Sequence, residues 1–494
     1  MSVTEKEKQI PSEEQVVEAS RIKLNELPTL GIAKLLAQLQ TENQWSLSEK
    51  RLKTILVKAN LRQSKPSTNG KQDDVPSHVP LSHLDASLNI SDGIKAVYFD
   101  RIKGKGLIAD RDFKEGQTIF NEDAFVASAP SQAMRQVEQG ELCASCFAPL
   151  AGSLVVRCGQ KDCESRFCTR LCQIRAQSAH HAILCPGLNP SIKPFNKFLS
   201  IQKWLSLAIV SKTLAKILLT HSNHAPASLN TSQNNKRTEE QPKSSLEEMM
   251  SHFDAFATVS ELERRARNPG WEVERSAFLT SMQEAHSLLC KGLDPRIERK
   301  KWPLWRDFPV DVAERLFTWD NFVLLLGRAN INTEAQGGMY LVHSHLNHSC
   351  LPNVSIRHPP SRHGVRQATK ITALAKKDIR KGDELVITYQ DPSLELSRRR
   401  MLLWREYMFG PCECQRCLDE LNGMDEEEKK EMESGSWKVD VNEEQEIQKR
   451  KEHADMLNQL EKERKDKLRS EGKDVEDEKD MKGIEEELRT HLGF

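Results

Sequence analysis

Apolar residues recur at helical spacing over several long stretches of the chain and at strand-like spacing over two others. Between residues 27 and 61 the positions Leu35, Leu36, Leu39, Leu52, Ile55 and Leu56 follow a 3.6-residue rhythm, with Ser46 and Ser48 placed as helix caps. The same rhythm runs through 195–219, 246–293, 310–326 and 398–409. Short strands are predicted from residue 94 onward at IKAVYF, GLIA and TIFNEDAFVASA, and again between 329 and 389 at ATKITALA and ELVITY. The stretch 64–78 is polar and broken by Pro and Gly, so it reads as a linker. Residues 221–246 are too polar to bury a core and read as a mobile loop. Beyond Asp419 the apolar positions are scattered, which suits a long solvated helix or a disordered tail.

Composition adds a boundary condition. The 494 residues are 38% apolar and 29% charged, as expected of a folded body with solvated appendages. No apolar run reaches the roughly 18 residues of a membrane span, and the first residues hold no signal core. Neither a secreted nor a membrane-spanning protein is expected. The net charge of zero conceals a division, because residues 419–494 carry 26 acidic and 15 basic side chains and the rest carries the matching basic excess. A basic body on an acidic tail suits a highly charged partner such as chromatin, or a tail that shields the body. The simpler reading is a solvated tail.

Seven of the 12 cysteines fall between Cys143 and Cys185 and three between Cys412 and Cys417; only Cys290 and Cys350 stand apart. Read as ligands, the first group gives Cys143-x2-Cys146, Cys158-x4-Cys163, Cys168-x3-Cys172 and His181-x3-Cys185, with His180 as the alternative to His181. Such spacings let two donors face one ion, and eight donors close two tetrahedral zinc sites with no position left for water. Metal binding would then contribute on the order of 10 kcal/mol of folding energy per site. Cys290 reads as a buried apolar residue.

This spacing resembles a MYND zinc finger, whose alternate pairs cross-brace. The resemblance implies one ion on Cys143, Cys146, Cys168 and Cys172 and another on Cys158, Cys163, His181 and Cys185. Three further motifs, in order, are Lys103-Gly104-Lys105-Gly106, Asn347-His348-Ser349-Cys350-Leu351-Pro352-Asn353 and Gly382-Asp383-Glu384-Leu385-Val386-Ile387-Thr388-Tyr389. Together they resemble the SET domain of protein-lysine methyltransferases over roughly 94–418, split by a MYND insertion as in SMYD-type enzymes. The implied fold is α+β: short sheets with a knot-like threading, an inserted MYND module, a helical linker and a zinc-binding post-SET segment.

The resemblance implies S-adenosylmethionine as cofactor. Lys103, Gly104, Lys105 and Gly106 would lie against its methionine or ribose part, Asn347 and His348 would hold its amine and adenine, and Phe409 would pack on adenine. Tyr389 would be the catalytic tyrosine, while Tyr340 lines the lysine channel or the core. Cys412, Cys414 and Cys417 lack a fourth ligand locally, and Cys350 is the partner that the family implies for a third zinc. The implied chemistry is an in-line displacement. A lysine amine of pKa about 10.4 is almost wholly protonated at neutral pH, and a narrow apolar channel favours its neutral, nucleophilic form.

The expected divisions are an N-terminal helical extension and linker (1–93), the SET N-terminal part (94–142), the MYND module (143–185), a helical insert with its loop (186–327), the SET C-terminal part (328–397), the post-SET segment (398–418) and the acidic tail (419–494). The N-terminal extension, the charged tail and the NIN at Asn330–Asn332 resemble a fungal SET subgroup directed at histone H4. The expectation is a monomer in nucleus and cytoplasm acting on a histone tail, in contact with a nucleosome, and not a sequence-specific DNA reader. The competing expectations are a methyltransferase of other protein lysines and an inactive MYND/SET adaptor.

Overall fold

The structure, a computed structural model, describes residues 11–26, 32–43, 45–58, 80–85, 87–150, 155–224, 245–297, 305, 307–358 and 369–438. The linker expected at 64–78, nearly all of the loop expected at 221–246 and most of the acidic tail lie outside the described residues.

The chain forms two compact units, Met1–Pro76 and Ser77–Phe494. In the first, helices Glu13–Glu26, Ile32–Asn43 and Glu49–Lys58 enclose a small core of Val16, Leu35, Leu39, Leu52, Ile55 and Leu56. The apolar rhythm read from the sequence supplies most of this core. Ser48 caps the third helix by accepting from Arg51 N at 3.2 Å, and Leu47 and Leu52 on either side of the cap are both buried, as in a hydrophobic staple. The expected N-terminal piece, 1–93, straddles the division, because residues 80–93 belong to the second unit, where Leu81 bridges Thr258.

Among the described residues the second unit contains eleven short strands: β1 (Ile94–Asp100), β2 (Gly104–Ala109), β3 (Thr118–Asp123), β4 (Val126–Ala127), β5 (Val156–Arg157), β6 (Arg166–Phe167), β7 (Gly338–Met339), β8 (Asn347–His348), β9 (Val354–Arg357), β10 (Lys370–Ala375) and β11 (Glu384–Ile387). They form sheets ordered β1-β2-β11-β8, β3-β10-β9, β4-β7 and β5-β6. Period-2 alternation turns Ile371, Ala373 and Ala375 of β10 inward, where they meet Leu107, Phe113, Phe120 and Leu385. The β11–β8 pair is parallel, Val386 opposite Asn347 and Ile387 opposite His348, while the other ladders are antiparallel.

Helices make a second, larger core around Trp305, Phe256, Phe322 and Leu289. Three of the helical stretches expected from sequence are divided by local breaks, whereas 398–409 is a single helix, Leu396–Glu406. Lys203 takes a left-handed φ of 49° between Lys193–Gln202 and Leu205–His224. Thr318 is extended between Val310–Phe317 and Trp319–Asn332. The 246–293 stretch becomes Leu246–Ala255, Glu261–Arg265 and Trp271–Leu293, the first two capped by Ser245 and Ser260. At Gly327 an added Cβ would lie 2.1 Å from Val259 O, so glycine is what lets helix Trp319–Asn332 press against the Ser260 turn. Among the described residues no helix is long and apolar enough to cross a membrane.

Two amines are buried in this core with no carboxylate beside them among the described residues. Lys212 donates to Ala127 O at 2.9 Å and Lys216 to Phe125 O at 2.7 Å, and burial pushes each down to about 8. Because the folded value lies below that of the unfolded chain, the unfolded state holds more protons between about pH 8 and 10.5, and stability rises with pH across that window. Lys216→Met is therefore expected to stabilise the fold at pH 7, by at most on the order of 3 kcal/mol. The advantage should fade as pH climbs through the window. Denaturant midpoints of both proteins between pH 7 and 10.5 measure it; a gap independent of pH would show that the amine is not the source.

Candidate functional site

The cysteine module is shaped by local turns before any ion is considered. Cys143 begins a knuckle in which Phe147 N donates to Cys143 O at 2.9 Å and Cys143 N to Ala148 O at 2.8 Å, which folds Cys146 back beside Cys143. Thr169 caps helix Arg170–Ala176 by accepting from Cys172 N at 3.1 Å, so Cys168 before the cap and Cys172 in its first turn face one point. The helix then widens into a π turn, Gln177–His181; His181, the histidine favoured by the spacing, is buried in a group of four donors, and among the described residues His180 is in none.

Three groups of four donors converge, and they are the three expected: Cys143, Cys146, Cys168 and Cys172; Cys158, Cys163, His181 and Cys185; Cys350, Cys412, Cys414 and Cys417. Within each, the donor atoms lie within 4.8 Å of one another. Sulfur pairs stand 3.6 Å (Cys146–Cys168), 3.8 Å (Cys158–Cys185) and 3.5 Å (Cys350–Cys417) apart. A tetrahedron with metal–sulfur bonds of about 2.3 Å has edges of about 3.8 Å, so each group fits such an ion. Buried Arg399 sets its guanidinium 3.7 Å from Cys417 Sγ while also pairing with Glu420, a counter-charge for the third group. Cys290 lies apart, buried 3.3 Å from His286 Nε2.

The other expected residues meet around one cavity of ≈ 330 Å³. The segment 347–353 crosses against β11 and its continuation. Asn353 accepts from Val386 N and donates to Glu384 O, both at 2.8 Å, and Ser349 N donates to Ile387 O at 2.8 Å. Tyr389 N donates to His348 Nδ1 at 3.0 Å and the Tyr389 hydroxyl donates to Leu346 O at 2.7 Å. The N–H and the hydroxyl of the tyrosine are thus both tied to residues 346–348, while its carbonyl accepts from the Tyr407 hydroxyl at 3.4 Å. Burial pushes the Tyr389 hydroxyl pKa above its ordinary range and lowers that of His348 to about 4, so both groups are neutral at pH 7.

Lys103, Lys105, Asn347, His348, Tyr389 and Phe409 all line the cavity. Asn347 Nδ2 is held between Lys105 O and Glu384 Oε1, each 3.0 Å away, and Glu384 also pairs with Lys103. Gly106 lets these parts close, since an added Cβ would strike Phe99 Cε2 at 2.4 Å and Asn347 Nδ2 at 2.9 Å. Gly104 has a φ of +69° and supports the turn instead of facing the cavity. The Lys105 amine is buried, bonded to Ala255 O and to Ser344 Oγ at 2.7 Å, and burial lowers it to about 7. Tyr340 is wholly buried, and the cavity lining does not include it.

Sequence reasoning missed part of the wall. Tyr407 lies with its ring centroid 4.7 Å from that of Tyr389, and its position two residues before Phe409 was the available signal. Glu334, His343 and Ser82 also line the cavity, and no spacing in the sequence announces them.

Comparison with known proteins follows the same residues. The SET domain family matches 104–390. A histone-lysine N-methyltransferase SET5 of Mycosarcoma maydis is 38% identical over 84% of this chain and 90% of its own length. Its namesake in Yarrowia lipolytica is 28% identical over 79% and 78%. Among solved structures, the crystal structure of the SET domain of LSMT bound to lysine and AdoHcy is 14% identical with a TM-score of 0.28, covering 66% of this chain and 54% of that one, a likeness from which nothing is argued. Since the matched segment spans more than half of the residues and the 38% identity runs along most of both chains, this protein belongs to the SET-domain family.

Proposed function

We propose that the chain is an S-adenosylmethionine-dependent protein-lysine N-methyltransferase acting on histones, with the histone H4 tail the foremost substrate. The observation that carries this is the double tie of Tyr389 to the crossing segment, which sets a neutral hydroxyl in the wall of a cavity where Lys103, Asn347, His348 and Phe409 also converge. The relatives named histone-lysine N-methyltransferase support the substrate class. The H4 tail rests on the subgroup resemblance.

The bound cofactor supplies an electrophilic sulfonium methyl. Lys103 and Asn347 hold its amino-acid end, His348 and Phe409 flank its base, and Gly104 and Gly106 shape the turn that admits it. Tyr389 orients the acceptor amine through its hydroxyl and the neighbouring Leu346 carbonyl, and holding two reactants in line accounts for much of the acceleration. We assign zinc to the three donor groups, two in a MYND-type module and one joining Cys350 to the post-SET segment. These ions brace the fold; the third ties Tyr407 and Phe409 to the crossing segment. The enzyme works on chromatin in the nucleus, where its basic body meets the nucleosome, and is also present in the cytoplasm.

Isothermal titration with S-adenosylmethionine is expected to give saturable heat, and a histone mixture incubated with protein and cofactor is expected to gain methyl groups on lysine by mass spectrometry, foremost on H4. No heat would leave the adaptor reading in its place. Heat with methylation only of other proteins would move the substrate, not the chemistry.

A further inference from the structure

The cavity contains a carboxylate for which the cofactor reading has no use. Glu334 sits on the turn after helix Trp319–Asn332, where Glu334 N donates to Gly338 O at 2.8 Å and Gly337 N to Glu334 O at 2.7 Å. Gly337 holds a φ of +91°, and an added Cβ there would meet Ser128 O at 2.0 Å, so this turn is rigidly seated. Glu334 Oε1 lies 2.7 Å from His343 Nε2. The histidine is 7% exposed and lines the cavity, and neither of its ring nitrogens makes a well-aligned hydrogen bond among the described residues, so the short contact to Glu334 is one of charge and proximity.

The surroundings are aromatic. The chain has four tyrosines, and three of them, Tyr340, Tyr389 and Tyr407, feel the Glu334 charge. Burial works against ionisation of Glu334, but His343, His358 and the Ala335 N–H outweigh it and hold the carboxyl below its ordinary range. Glu122, buried and accepting from Val342 N at 2.7 Å and His343 N at 2.9 Å, faces the same histidine from β3, and burial raises its pKa. A fixed anion beside tyrosine faces suits a primary ammonium, which gains a charge-assisted hydrogen bond and cation–π contact together.

Resting on the methyltransferase reading, we infer that Glu334 receives the acceptor lysine as its ammonium and takes up its proton, with His343 holding the carboxylate in place. One N–H proton passes to the Glu334 carboxylate, leaving a neutral amine. The amine lone pair forms the N–CH3 bond as the S–CH3 bond breaks. Donor sulfur leaves as a neutral thioether, the lysine becomes a methylammonium, and the displaced proton rests on the Glu334 carboxyl group. Glu334 thus selects an amine acceptor over a hydroxyl one and is a catalytic residue, with His343 as its positioning residue.

The test uses the full chain, an H4-tail peptide and S-adenosylmethionine, with Glu334→Gln and His343→Asn beside wild type from pH 7 to 10. Expected are unchanged metal content and a cofactor Kd within about twofold, with kcat/KM down by about a hundredfold for Glu334→Gln and about tenfold for His343→Asn at pH 7. Both deficits should close toward pH 10, where a lysine of pKa about 10.4 arrives increasingly neutral. Wild-type turnover with normal rates in both variants overturns the Glu334 role alone, and so does a deficit that pH does not close. Loss of cofactor binding in Glu334→Gln places the carboxylate on the donor side and also overturns it. Absence of wild-type turnover overturns the methyltransferase reading itself.

Discussion

Tyr389→Phe is expected to lower methyl transfer by about a hundredfold or more while leaving metal content, cofactor affinity and thermal stability nearly unchanged. The hydroxyl donates to Leu346 O at 2.7 Å, the backbone N–H of the same residue is bound independently by His348, and the ring packs against Tyr407 and Phe409. Phenylalanine keeps the ring and the backbone bond. What disappears is one buried donor, leaving Leu346 O unpaired, a cost of roughly 1–3 kcal/mol that the surrounding sheets can absorb. Loss of rate without loss of fold is therefore the signature. Single-turnover transfer to a histone peptide, together with circular dichroism and cofactor titration, separates the two. Full turnover by the variant removes Tyr389 from the chemistry, and a cofactor Kd raised as far as the rate falls makes its role one of binding.

Cys350→Ser should have the second largest effect, for a different reason. Cys350 is three residues from Asn347, whereas Cys412, Cys414 and Cys417 follow Tyr407 and Phe409, so the donor group fastens two walls of the cavity to each other. Buried Arg399 beside Cys417 is arranged for a thiolate group carrying excess negative charge, and a ligand lost from it leaves that arginine poorly compensated. The variant is expected to hold two metal equivalents where wild type holds three, and to bind cofactor weaker by on the order of tenfold. Metal analysis by mass spectrometry and a cofactor titration on the same preparation check both. The two groups between Cys143 and Cys185 share no ligand with the third, so their metal should survive. Three equivalents in the variant would dissolve the third site, and two equivalents with unchanged affinity would cut its link to the cavity.

The cysteine pairs were legible because ligand spacing is a local property, whereas which pairs share a group, and the place of Cys350 in the third, came only from resemblance. Cys168-x3-Cys172 works as a pair since Thr169 starts a helix between its members, and the sequence contains both facts. The crossing segment was legible only through resemblance. Its residues have ordinary strand and turn chemistry, and nothing in their order says that 347–353 should lie against 384–389. Tyr407 was overlooked beside Phe409, and the helical stretches were read as longer than they are, because a hydrophobic rhythm continues smoothly across Thr318 and Lys203 while the backbone turns there.

The sequence by itself determined the secondary-structure periods, the short-range cysteine pairs and the three motifs, all of which depend on residues close in the chain or on their types. Tertiary structure alone decided that residues 80–93 side with the second unit, that the Lys105 amine is taken up by Ala255 and Ser344, and that Glu334 and His343 face the cavity. Each of these turns on distance between segments remote in sequence, or on the angle at which a turn presents a side chain. Such quantities arise only when burial of one core fixes where the next element must lie.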